Sequence, residues 1–488
     1  MSSPGYAFRG SGSSLVFPTS AFGEVEVVSP TPTTQAAFAY GIDPLQVSKQ
    51  TYLGAASVSG VNGEAVVTCG AQAGSYARMT GSRVTKYRPG QGTLGRWTAR
   101  YSAGVVGNRQ LAGLSNQEAG YQFGYVDDVF GIMYTKTGTL EIVTLTVTVA
   151  PAAPGSVLIT LDGSAPVAVP VTVSGSTSIC AYQISQANYS QITGGWTAQA
   201  TGNVVRFRRN IAGPSAAAPT FAGNGTGAAA TPAVATPGEA NTEIFIPRSS
   251  WNGSTPVGFD PLKGNVYAVT FQYLGFGNAL FYIEDGPTGQ FVLVHMIRNA
   301  NTVTAPVLRN PNLYLTLESR NTTNATAVSL VSASMAAFID GIVGPPVSQF
   351  AASVTRGILA GVETPVLTVR ANTVFRGRSS TGQLELTKLS VAADGNKPVT
   401  VRLYKGGTMV AAQFVAVSPD SCAAYDTLAS SFSGGTLVLG SALAKSGNST
   451  EDVTDLSLFL QAGDIYTVTA QSTNASDISV ALSWAEDI

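Results

Sequence analysis

Residues 273–296 read YLGFGNALFYIEDGPTGQFVLVHM, and the interpretation of this stretch decides the fold. Two apolar runs, NALFYI and QFVLVHM, flank the segment DGPTG, and Asp, Gly and Pro are the residues that a tight connection favours. The stretch therefore predicts a strand, a turn and a second strand. The competing interpretation is a catalytic site, because the same stretch contains the pair Glu284 and Asp285 and His295, the one histidine of the chain.

The composition agrees with a chain built of strands. Only 11% of the 488 residues are charged and 44% are hydrophobic, whereas an average soluble protein has about 25% charged residues. The 53 glycines and 25 prolines, together with abundant Thr and Val, favour turn-rich β-structure. The length exceeds that of one typical domain, so we expect an all-β protein of several β-sandwich, jelly-roll-like modules in series.

Apolar and turn-rich segments alternate in an order that divides the chain into modules. The β-branched run LEIVTLTVTV at 140–149 opens a compact β-rich unit, which also holds a predicted short helix near residues 179–190. Residues 214–238 carry almost no large side chains and no charge, which is typical of a linker. The predicted organisation is an extended N-terminal arm or a few edge strands at 1–60, followed by three β-rich modules. These modules comprise the strands at 61–140 plus 242–342, a small β-rich unit at 141–213 with a linker at 214–241, and a C-terminal β-sandwich at 343–488.

Charge is spread unevenly along the chain, although the formal net charge is only −1. Residues 65–117 contain basic but no acidic side chains, and residues 446–488 contain acidic side chains but no Lys or Arg. Two explanations are open: the two regions attract neighbouring subunits, or both are solvated faces. The small net charge argues against a general attraction to nucleic acid or to an anionic membrane.

The cysteines and the N-terminus indicate where such a protein is made. Cys69, Cys180 and Cys422 lie too far apart in the sequence for a zinc ligand pattern or a dense disulfide framework, so we expect buried free thiols. The segment MSSPGYAFRG lacks the apolar core of a signal peptide, and no run of ~18 apolar residues predicts a membrane span. We therefore expect a soluble protein that is made inside a cell and has no membrane span.

Several blocks of the sequence resemble a known family. They are RPGQGTLGRWTARYSAGVVGNRQLAGLSNQEAGYQFGYVDDVFGIMY (88–134), IPRSSWNG (246–253), DPLKGNVYAVTFQYLGFGNALFYIEDGPTGQFVLVHMIRNANT (260–302) and SMAAFIDG (334–341). In order and spacing they are similar to virion structural proteins of large DNA viruses of algae and protists and of aquatic phages. The resemblance covers about 80–345 and implies one discontinuous β-sandwich at 61–140 plus 242–342, into which the small β-rich domain at 141–213 is inserted. Residues 1–60 and the last 140 match no family.

The resemblance implies a β-sandwich protein that serves as a minor capsid, vertex, spike or fibre component of a virion. It supplies no catalytic residue. Composition supports the same expectation independently, because a packed assembly favours polar but uncharged contact surfaces, where desolvation costs less than it does for charges.

The candidate catalytic and metal-binding residues each have a structural explanation. In QFVLVHM, a period of two places Phe291, Leu293 and His295 on one face of a strand, so His295 is expected in the core or in an interface. Adjacent strand residues such as Glu284 and Asp285 point to opposite faces and do not form a glycosidase pair by themselves. The pair 127–128 in GYVDDVFG fits a turn, with a Ca²⁺ site as the alternative. We expect no catalytic residue, no metal site and no cofactor.

Aromatic and basic residues are the candidates for binding. An exposed aromatic face could stack on sugars or hold a partner, whereas core packing is the competing explanation for the same residues. Basic side chains interleaved with aromatic ones also occur in nucleic-acid binders, but pairing between subunits suits this chain better. The candidate binding residues are Trp97, Tyr121, Tyr125, Trp251, Tyr273 and Phe276, together with Arg88, Arg96 and Arg100.

The function expected from the sequence is that of a non-enzymatic virion structural protein. It would contact other capsid or spike proteins of the same particle and form a homo-oligomer. A trimer is one expected number of copies, because viral spikes often follow local threefold or fivefold symmetry, but nothing in the sequence fixes the number. A fibre or receptor-binding protein that recognises host surface glycans is the first alternative. A virion enzyme that degrades polysaccharides is the second.

Overall fold

The structure, a computed structural model, describes residues 29–136, 138–341, 348–395 and 397–488. Strands account for 55% of the chain and helix for 3%, which confirms the predicted all-β class. The strands form a larger sandwich, a small domain inserted into it, and a C-terminal sandwich. None of the helices in these residues is long and apolar enough to cross a membrane.

The larger sandwich is formed by strands that precede and follow the inserted domain. The preceding strands are β1 (Pro30–Ala37), β2 (Val47–Tyr52), β3 (Ser57–Val61), β4 (Glu64–Thr68), β5 (Tyr76–Gly81), β6 (Thr93–Tyr101), β7 (Asn108–Ser115), β8 (Gly120–Val126) and β9 (Val129–Lys136). The inserted domain contains β10 (Ile142–Val149), β11 (Gly155–Thr160), β12 (Val167–Val171), α1 (Thr177–Ser185), β13 (Trp196–Thr201), β14 (Val204–Arg209), β15 (Thr220–Ala222) and β16 (Ala229–Thr236). The following strands are β17 (Thr242–Pro247), β18 (Asn265–Phe271), β19 (Ala279–Asp285), β20 (Gln290–Ile297), β21 (Tyr314–Asn321), β22 (Ser329–Ser332) and β23 (Ser334–Asp340).

Two antiparallel sheets face each other in the larger sandwich. The nine-stranded sheet has the order β20-β19-β18-β6-β22-β4-β3, and β23 joins β1 to β6. The seven-stranded sheet has the order β17-β9-β8-β7-β21-β5-β2. The core between them is rich in rings, because alternate residues of each strand point inward. Its largest members include Trp97, Tyr121, Phe123, Tyr267 and Phe281.

The described part of the segment 1–60 forms edge strands of the larger sandwich, so for residues 29–60 the predicted edge strands replace the predicted extended arm. Strand β1 pairs with β23, β2 with β5 and β3 with β4. Phe38 is 1% exposed and lies in the core. Residues 1–28 lie outside the described residues.

The predicted linker at 214–241 is also corrected, because it contains two strands of the inserted domain. Strand β15 pairs with β11, and β16 pairs with β10 along most of its length. A strand needs backbone partners rather than large side chains, so the small residues of this segment still complete two sheets. These sheets have the orders β13-β14-β10-β16 and β12-β11-β15, and α1 begins at an N-cap, Ser176, whose hydroxyl accepts a hydrogen bond from the backbone N–H of Ile179.

The C-terminal sandwich contains the remaining strands. They are β24 (Ser348–Ile358), β25 (Thr364–Ala371), β26 (Val374–Phe375), β27 (Arg378–Ser379), β28 (Gln383–Asp394), β29 (Val399–Lys405), β30 (Thr408–Val410), β31 (Val415–Ala416), β32 (Ala423–Asp426), β33 (Ser431–Ser433), β34 (Thr436–Leu443), β35 (Asn448–Asp452), β36 (Phe459–Leu460), β37 (Ile465–Ser472) and β38 (Ser476–Asp487). A five-stranded sheet, β24-β38-β28-β35 with β36 on β28, faces a six-stranded sheet, β31-β32-β25-β37-β29-β34. Trp484 is fully buried between them, and its indole N–H donates to Glu486 at 2.8 Å.

The inserted domain shares its core with the C-terminal sandwich. Met409 and Phe414 of the C-terminal sandwich belong to the same buried cluster as Phe207 and Tyr182 of the inserted domain. The Tyr182 hydroxyl donates to the carbonyl of Met409 at 3.0 Å. Arg370 donates to the carbonyl of Ala200 at 2.7 Å, and its guanidinium carbon lies 4.0 Å from the centre of the Phe414 ring.

The larger sandwich also contacts the C-terminal sandwich directly, through three basic residues of the acid-free stretch. The ammonium of Lys86 donates to the carbonyl of Thr381 at 2.7 Å. Arg88 pairs with Asp487 at 3.0 Å, and Arg83 lies over the Phe459 ring at 3.7 Å. The three units therefore form a closed set of contacts within one chain.

The shared core predicts that Phe414→Ala weakens two units at once. Removing a buried phenyl ring costs about 3–5 kcal/mol, and the cavity would open on the inserted domain as well as on its own sandwich. We expect a lower free energy of unfolding in urea and faster proteolysis within residues 142–209. Val410→Ala, at a position 55% exposed on the same segment, is the matched control and should change little. If the inserted domain of Phe414→Ala resists proteolysis as well as that of the unsubstituted chain, the two units do not share a core.

The contact at Lys86 predicts a pH dependence of stability. Burial lowers the pKa of Lys86 to about 8, and nearby Asp487 only partly offsets this. Between that value and the usual 10.5, the unfolded chain holds a proton that the folded chain has lost, so the free energy of unfolding rises with pH. Lys86→Met should reduce this slope between about pH 8 and 9.5, measured by urea unfolding. If the free energy of unfolding of Lys86→Met and that of the unsubstituted protein rise equally with pH, the titration of Lys86 does not cause the rise.

Candidate interaction surface

Two of the six predicted binding aromatics are core residues, which corrects the prediction for Trp97 and Tyr121. Trp97 is 2% exposed and Tyr121 is 1% exposed. The Trp97 ring is stacked against Tyr267 with 6.1 Å between ring centres. Trp97 in β6 and Tyr121 in β8 both belong to the core between the two sheets, so neither ring is available to a ligand.

Three of the remaining aromatics lie at the margin of this core. Tyr125, Trp251 and Tyr273 are partly buried and pack against it. The indole N–H of Trp251 donates to the carbonyl of Ile246 at 3.3 Å, and the Tyr273 hydroxyl donates to the carbonyl of Leu308. Phe276 differs from them, because it is 43% exposed in the loop between β18 and β19. Leu274 in the same loop is 54% exposed.

The three candidate arginines have different surroundings. Arg88 makes the ion pair with Asp487 described above, and Arg100 pairs with Glu64 at 3.0 Å on the surface. Arg96 is exposed, and its guanidinium carbon lies 5.4 Å from the centre of the Phe291 ring and 5.9 Å from that of Phe338. Arg96 therefore lies among rings, the arrangement of a cation–π contact.

The uneven charges of the sequence are paired in part within the chain. Arg88, from the acid-free stretch, and Asp487, from the stretch without basic residues, bind each other. Arg78 pairs with Glu318 at 3.3 Å and Arg109 with Glu243 at 2.7 Å. Several charges of the two uneven stretches are therefore paired within the chain. Fewer unpaired charges remain at the surface to attract neighbouring subunits.

Around Arg96, the outward side of the nine-stranded sheet forms a largely apolar surface, which we call the outer face. Registers across β23, β6, β18, β19 and β20 bring its residues into adjacent rows; Ala336, Arg96, Ala268, Tyr282 and Leu293 form the middle row. Most of these side chains are partly exposed. The outer face consists of Leu94, Arg96, Thr98, Val266, Ala268, Thr270, Leu280, Tyr282, Glu284, Phe291, Leu293, Met296, Ala336 and Phe338.

The composition of the outer face is unusual for a sheet that faces water. Only Arg96 and Glu284 are charged, whereas the solvent side of an antiparallel sheet is normally polar. Large exposed apolar patches typically mark interaction sites. The sequence contained a signal for this face, because the runs LFYI and FVLV are apolar on both faces of their strands, as expected where both sides are covered.

The predicted hairpin is present, but a bulge corrects the predicted alternation around His295. The register of β19 with β20 shifts between Phe281, which pairs with His295, and Tyr282, which pairs with Leu293. The additional residue, Val294, turns His295 to the core side, next to Phe281. His295 is therefore 7% exposed and does not share a face with Phe291 and Leu293.

The segment Trp251–Ser254 covers the outer edge of β20 and fixes His295. The Asn252 side chain donates to the carbonyl of Met296 at 2.9 Å and accepts from the N–H of Met296 at 2.8 Å. The Asn252 N–H donates to Nδ1 of His295 at 3.2 Å. A Cβ atom at Gly253 would collide with the carbonyl oxygen of Leu293, so this close approach requires glycine. These contacts give His295 a structural role.

The acidic pairs are parts of turns. Glu284 is partly exposed on the outer face, whereas the buried Asp285 accepts hydrogen bonds from the Thr288 hydroxyl at 2.8 Å and the Val257 N–H at 3.3 Å. Asp127 has a φ of 57° and accepts from the Gly107 N–H at 2.7 Å. Among the residues that the structure describes, no three His, Cys, Asp or Glu side chains form a group that could hold a metal ion. All three cysteines are buried and free.

Comparisons with known proteins reveal similarity of fold at a low level. No protein-family model matches the chain, and no curated protein sequence matches it. Matching solved structures include a protein from work on the endo-acting O-glycanases with which human gut bacteria initiate mucin breakdown (10% identity, TM-score 0.30, 64% of this chain and 100% of that chain). Others are the Emp46p carbohydrate recognition domain (10%, 0.24, 63% and 98%) and a protein of an archaeal virus with a triple jelly roll fold and turret assembly (9%, 0.17, 97% and 98%). At these scores the similarities carry no argument about function.

The buried position of His295 predicts a loss of stability in acid. Burial lowers the pKa of His295 below its usual 6.5, so in mild acid the unfolded chain binds a proton that the folded chain does not. The free energy of unfolding therefore falls as the pH drops through about 6.5. His295→Gln should reduce this fall between about pH 7 and 5, measured by urea unfolding, while assembly stays intact. If the unsubstituted protein has a hydrolytic activity that His295→Gln lacks, the structural role of His295 is overturned.

Proposed function

We propose that this protein is a non-enzymatic structural component of a virus particle, and that the outer face binds a neighbouring subunit. The observation that carries the proposal is the outer face itself, a broad sheet surface with rings around one cation. Resemblance of the sequence blocks to virion structural proteins supports the same role. The particle position that suits it is that of a minor capsid, vertex or spike protein.

The size of the outer face sets a requirement on the contact. Its five strands are spaced about 4.8 Å apart and its three rows of outward residues roughly 6.8 Å apart, so the face has an area of roughly 500 Å². A standard interface buries about 800 Å² on each partner, so the contact has to extend beyond the face. The exposed side chains of Leu274 and Phe276, in the loop that joins β18 to β19, provide an apolar extension.

The low charge of the chain favours assembly for a physical reason. Desolvating an unpaired charge costs several kcal/mol in order of magnitude, whereas burying apolar area contributes about 25 cal/mol per Å². On the outer face, Arg96 lies close to Phe291 and Phe338, so its partner could bury it at a reduced cost. Aromatic residues and arginine are also the residues enriched at the centres of interfaces.

A non-enzymatic role is the simpler proposal for the residues that could catalyse. His295 is held by Asn252, and Glu284 and Asp285 point to opposite sides of their strand. A glycosidase requires two carboxyl groups that converge on one bond. Sugar release from host cell walls by the purified protein would establish the enzyme alternative.

Recognition of host glycans is the second candidate function. The observation in its favour is a polar cleft between the larger sandwich and the inserted domain, described below. A fibre or receptor-binding role requires such a site to be accessible on the particle. A glycan array without any signal would exclude this candidate and leave the structural role untouched.

The outer face predicts the effect of a charge placed at its centre. Tyr282→Lys puts a second cation near Arg96 and should prevent the subunit contact, because a desolvated like-charge pair is strongly unfavourable. We expect loss of self-association in sedimentation velocity and at least about a tenfold drop in copurification with particles.

Ala481→Lys is the matched control for this experiment. Ala481 lies in an outward, partly exposed position of β38 in the C-terminal sandwich, so it tests a lysine in a sheet face of another module. It should assemble normally, and thermal unfolding should report intact folding for both variants. Normal assembly of Tyr282→Lys would refute the contact through the outer face.

A further inference from the structure

A polar cleft of about 240 Å³ lies where the inserted domain joins the larger sandwich. Its floor is the outward side of the seven-stranded sheet, including β7, β8 and β21. Its walls are the loop at 210–212 that follows β14 of the inserted domain, the segment 240–243 that returns from this domain to the larger sandwich, and the turn at 117–119. Clefts between domains are frequent positions of ligand sites.

Three arginines and two glutamates line this cleft. Arg78 binds one carboxylate oxygen of Glu318 at 3.3 Å, and Arg320 binds the other, also at 3.3 Å. Arg109 binds Glu243 at 2.7 Å. With three cations and two anions, the lining keeps one positive charge in excess. A ligand with one negative charge would balance it.

The electrostatics of Glu318 agree with a permanently charged lining. Burial alone would raise the pKa of Glu318, but Arg320 and Arg78 outweigh this effect, so the pKa lies below its usual value. Glu318 therefore stays ionised near neutral pH and can accept hydrogen bonds but cannot donate them. A ligand next to it must present hydroxyl or amine donors as well as its anionic group.

Three buried polar atoms of cleft residues make no hydrogen bond within the described part of the chain. They are the side-chain oxygens of Asn210 and Asn241 and the Nε atom of Arg320. Asn210 is only 6% exposed. Each such atom costs about 1–3 kcal/mol unless a partner from outside the chain satisfies it. Two acceptors and one donor of cleft residues thus lack a partner within the described chain, and a ligand or water with both donors and acceptors would match them after a shift of the side chains that cover them.

We propose that this cleft binds a sugar residue that bears a carboxylate, such as a uronic acid. The carboxylate would balance the excess charge of Arg78 and Arg320, which share Glu318, and would lie next to Arg109, the cross-strand neighbour of Arg320 with a side chain 26% exposed. The sugar hydroxyls would donate to the amide and carboxylate oxygens. The volume is below the roughly 300 Å³ at which drug-sized pockets begin, which suits one sugar residue. An inorganic phosphate fits less well, because most of its oxygens are acceptors and two carboxylates already line the cleft.

This proposal is independent of the outer face. The cleft lies on the seven-stranded sheet, whereas the outer face belongs to the nine-stranded sheet. A protein that assembles but binds no sugar, or binds sugar but does not assemble, would separate the two proposals.

Titration calorimetry of the full chain with glucuronate and galacturonate tests the cleft. We expect both acids to bind, and glucose, galactose and inorganic phosphate to bind at least about tenfold more weakly, because hydrogen bonds to charged groups contribute about 1.5–3 kcal/mol. An oligogalacturonate separates the two sources of the sugar: tighter binding than galacturonate indicates a residue within a polymer, and equal binding indicates a terminal residue.

Arg109→Gln is the diagnostic variant and Arg100→Gln is its matched control. Both arginines make one surface-accessible ion pair with a glutamate, but only Arg109 lines the cleft. Arg109→Gln should weaken binding of the acids at least about tenfold, whereas Arg100→Gln should bind them normally, with thermal unfolding unchanged in both. The proposal is overturned if neither acid binds at millimolar concentration, if phosphate binds as tightly, or if both variants bind alike.

Discussion

The period of two along β6 is the constraint on which the larger sandwich and its outer face both depend. This strand pairs with β18 on one side and with β22 and β23 on the other. Its inward residues Trp97 and Tyr101 fill the core, and its outward residues Arg96 and Arg100 face solvent. A shift of the register by one residue would bury both arginines and expose both rings, so the core and the interaction surface are fixed together.

Packing between the modules converts a chain of sandwiches into one connected unit. The inserted domain shares a core with the C-terminal sandwich, and Lys86 and Arg88 tie that sandwich to the larger one. The basic stretch at 65–117 and the acidic stretch at 446–488 meet at this contact, where Arg88 pairs with Asp487. Electrostatic attraction between subunits is thereby reduced, and the apolar outer face becomes the stronger candidate for holding neighbours together.

The two proposed surfaces differ in physical character and therefore in the partners that they suit. The outer face is broad and apolar and holds one cation among rings. It suits a protein subunit as its partner, because contact with a subunit removes a broad apolar surface from water. In the cleft, the paired charges and unsatisfied amide oxygens favour a small, hydroxyl-rich anion. A virion protein that assembles through one sheet could present the other sheet, with its cleft, to a host surface.

The sequence by itself determined the all-β class and the hairpin at 279–297, because alternation and turn residues act over a few neighbours in the chain. It could not separate the core rings Trp97 and Tyr121 from the exposed Phe276, since all three occur in similar local patterns. Nor could it identify the strands within 214–241, whose partners are distant in sequence.

Only the tertiary structure decided where the surfaces lie. The bulge at Val294 moved His295 away from Phe291 and Leu293, and Asn252, more than forty residues earlier, binds the backbone of Met296 and the ring of His295 next to it. The cleft likewise combines a loop of the inserted domain, and the segment that leaves this domain, with residues from six strands of a sheet. Local patterns in the sequence determine which residues can form strands. Pairing between strands that are distant in the sequence determines which side chains meet, because this pairing sets the register and the bulges.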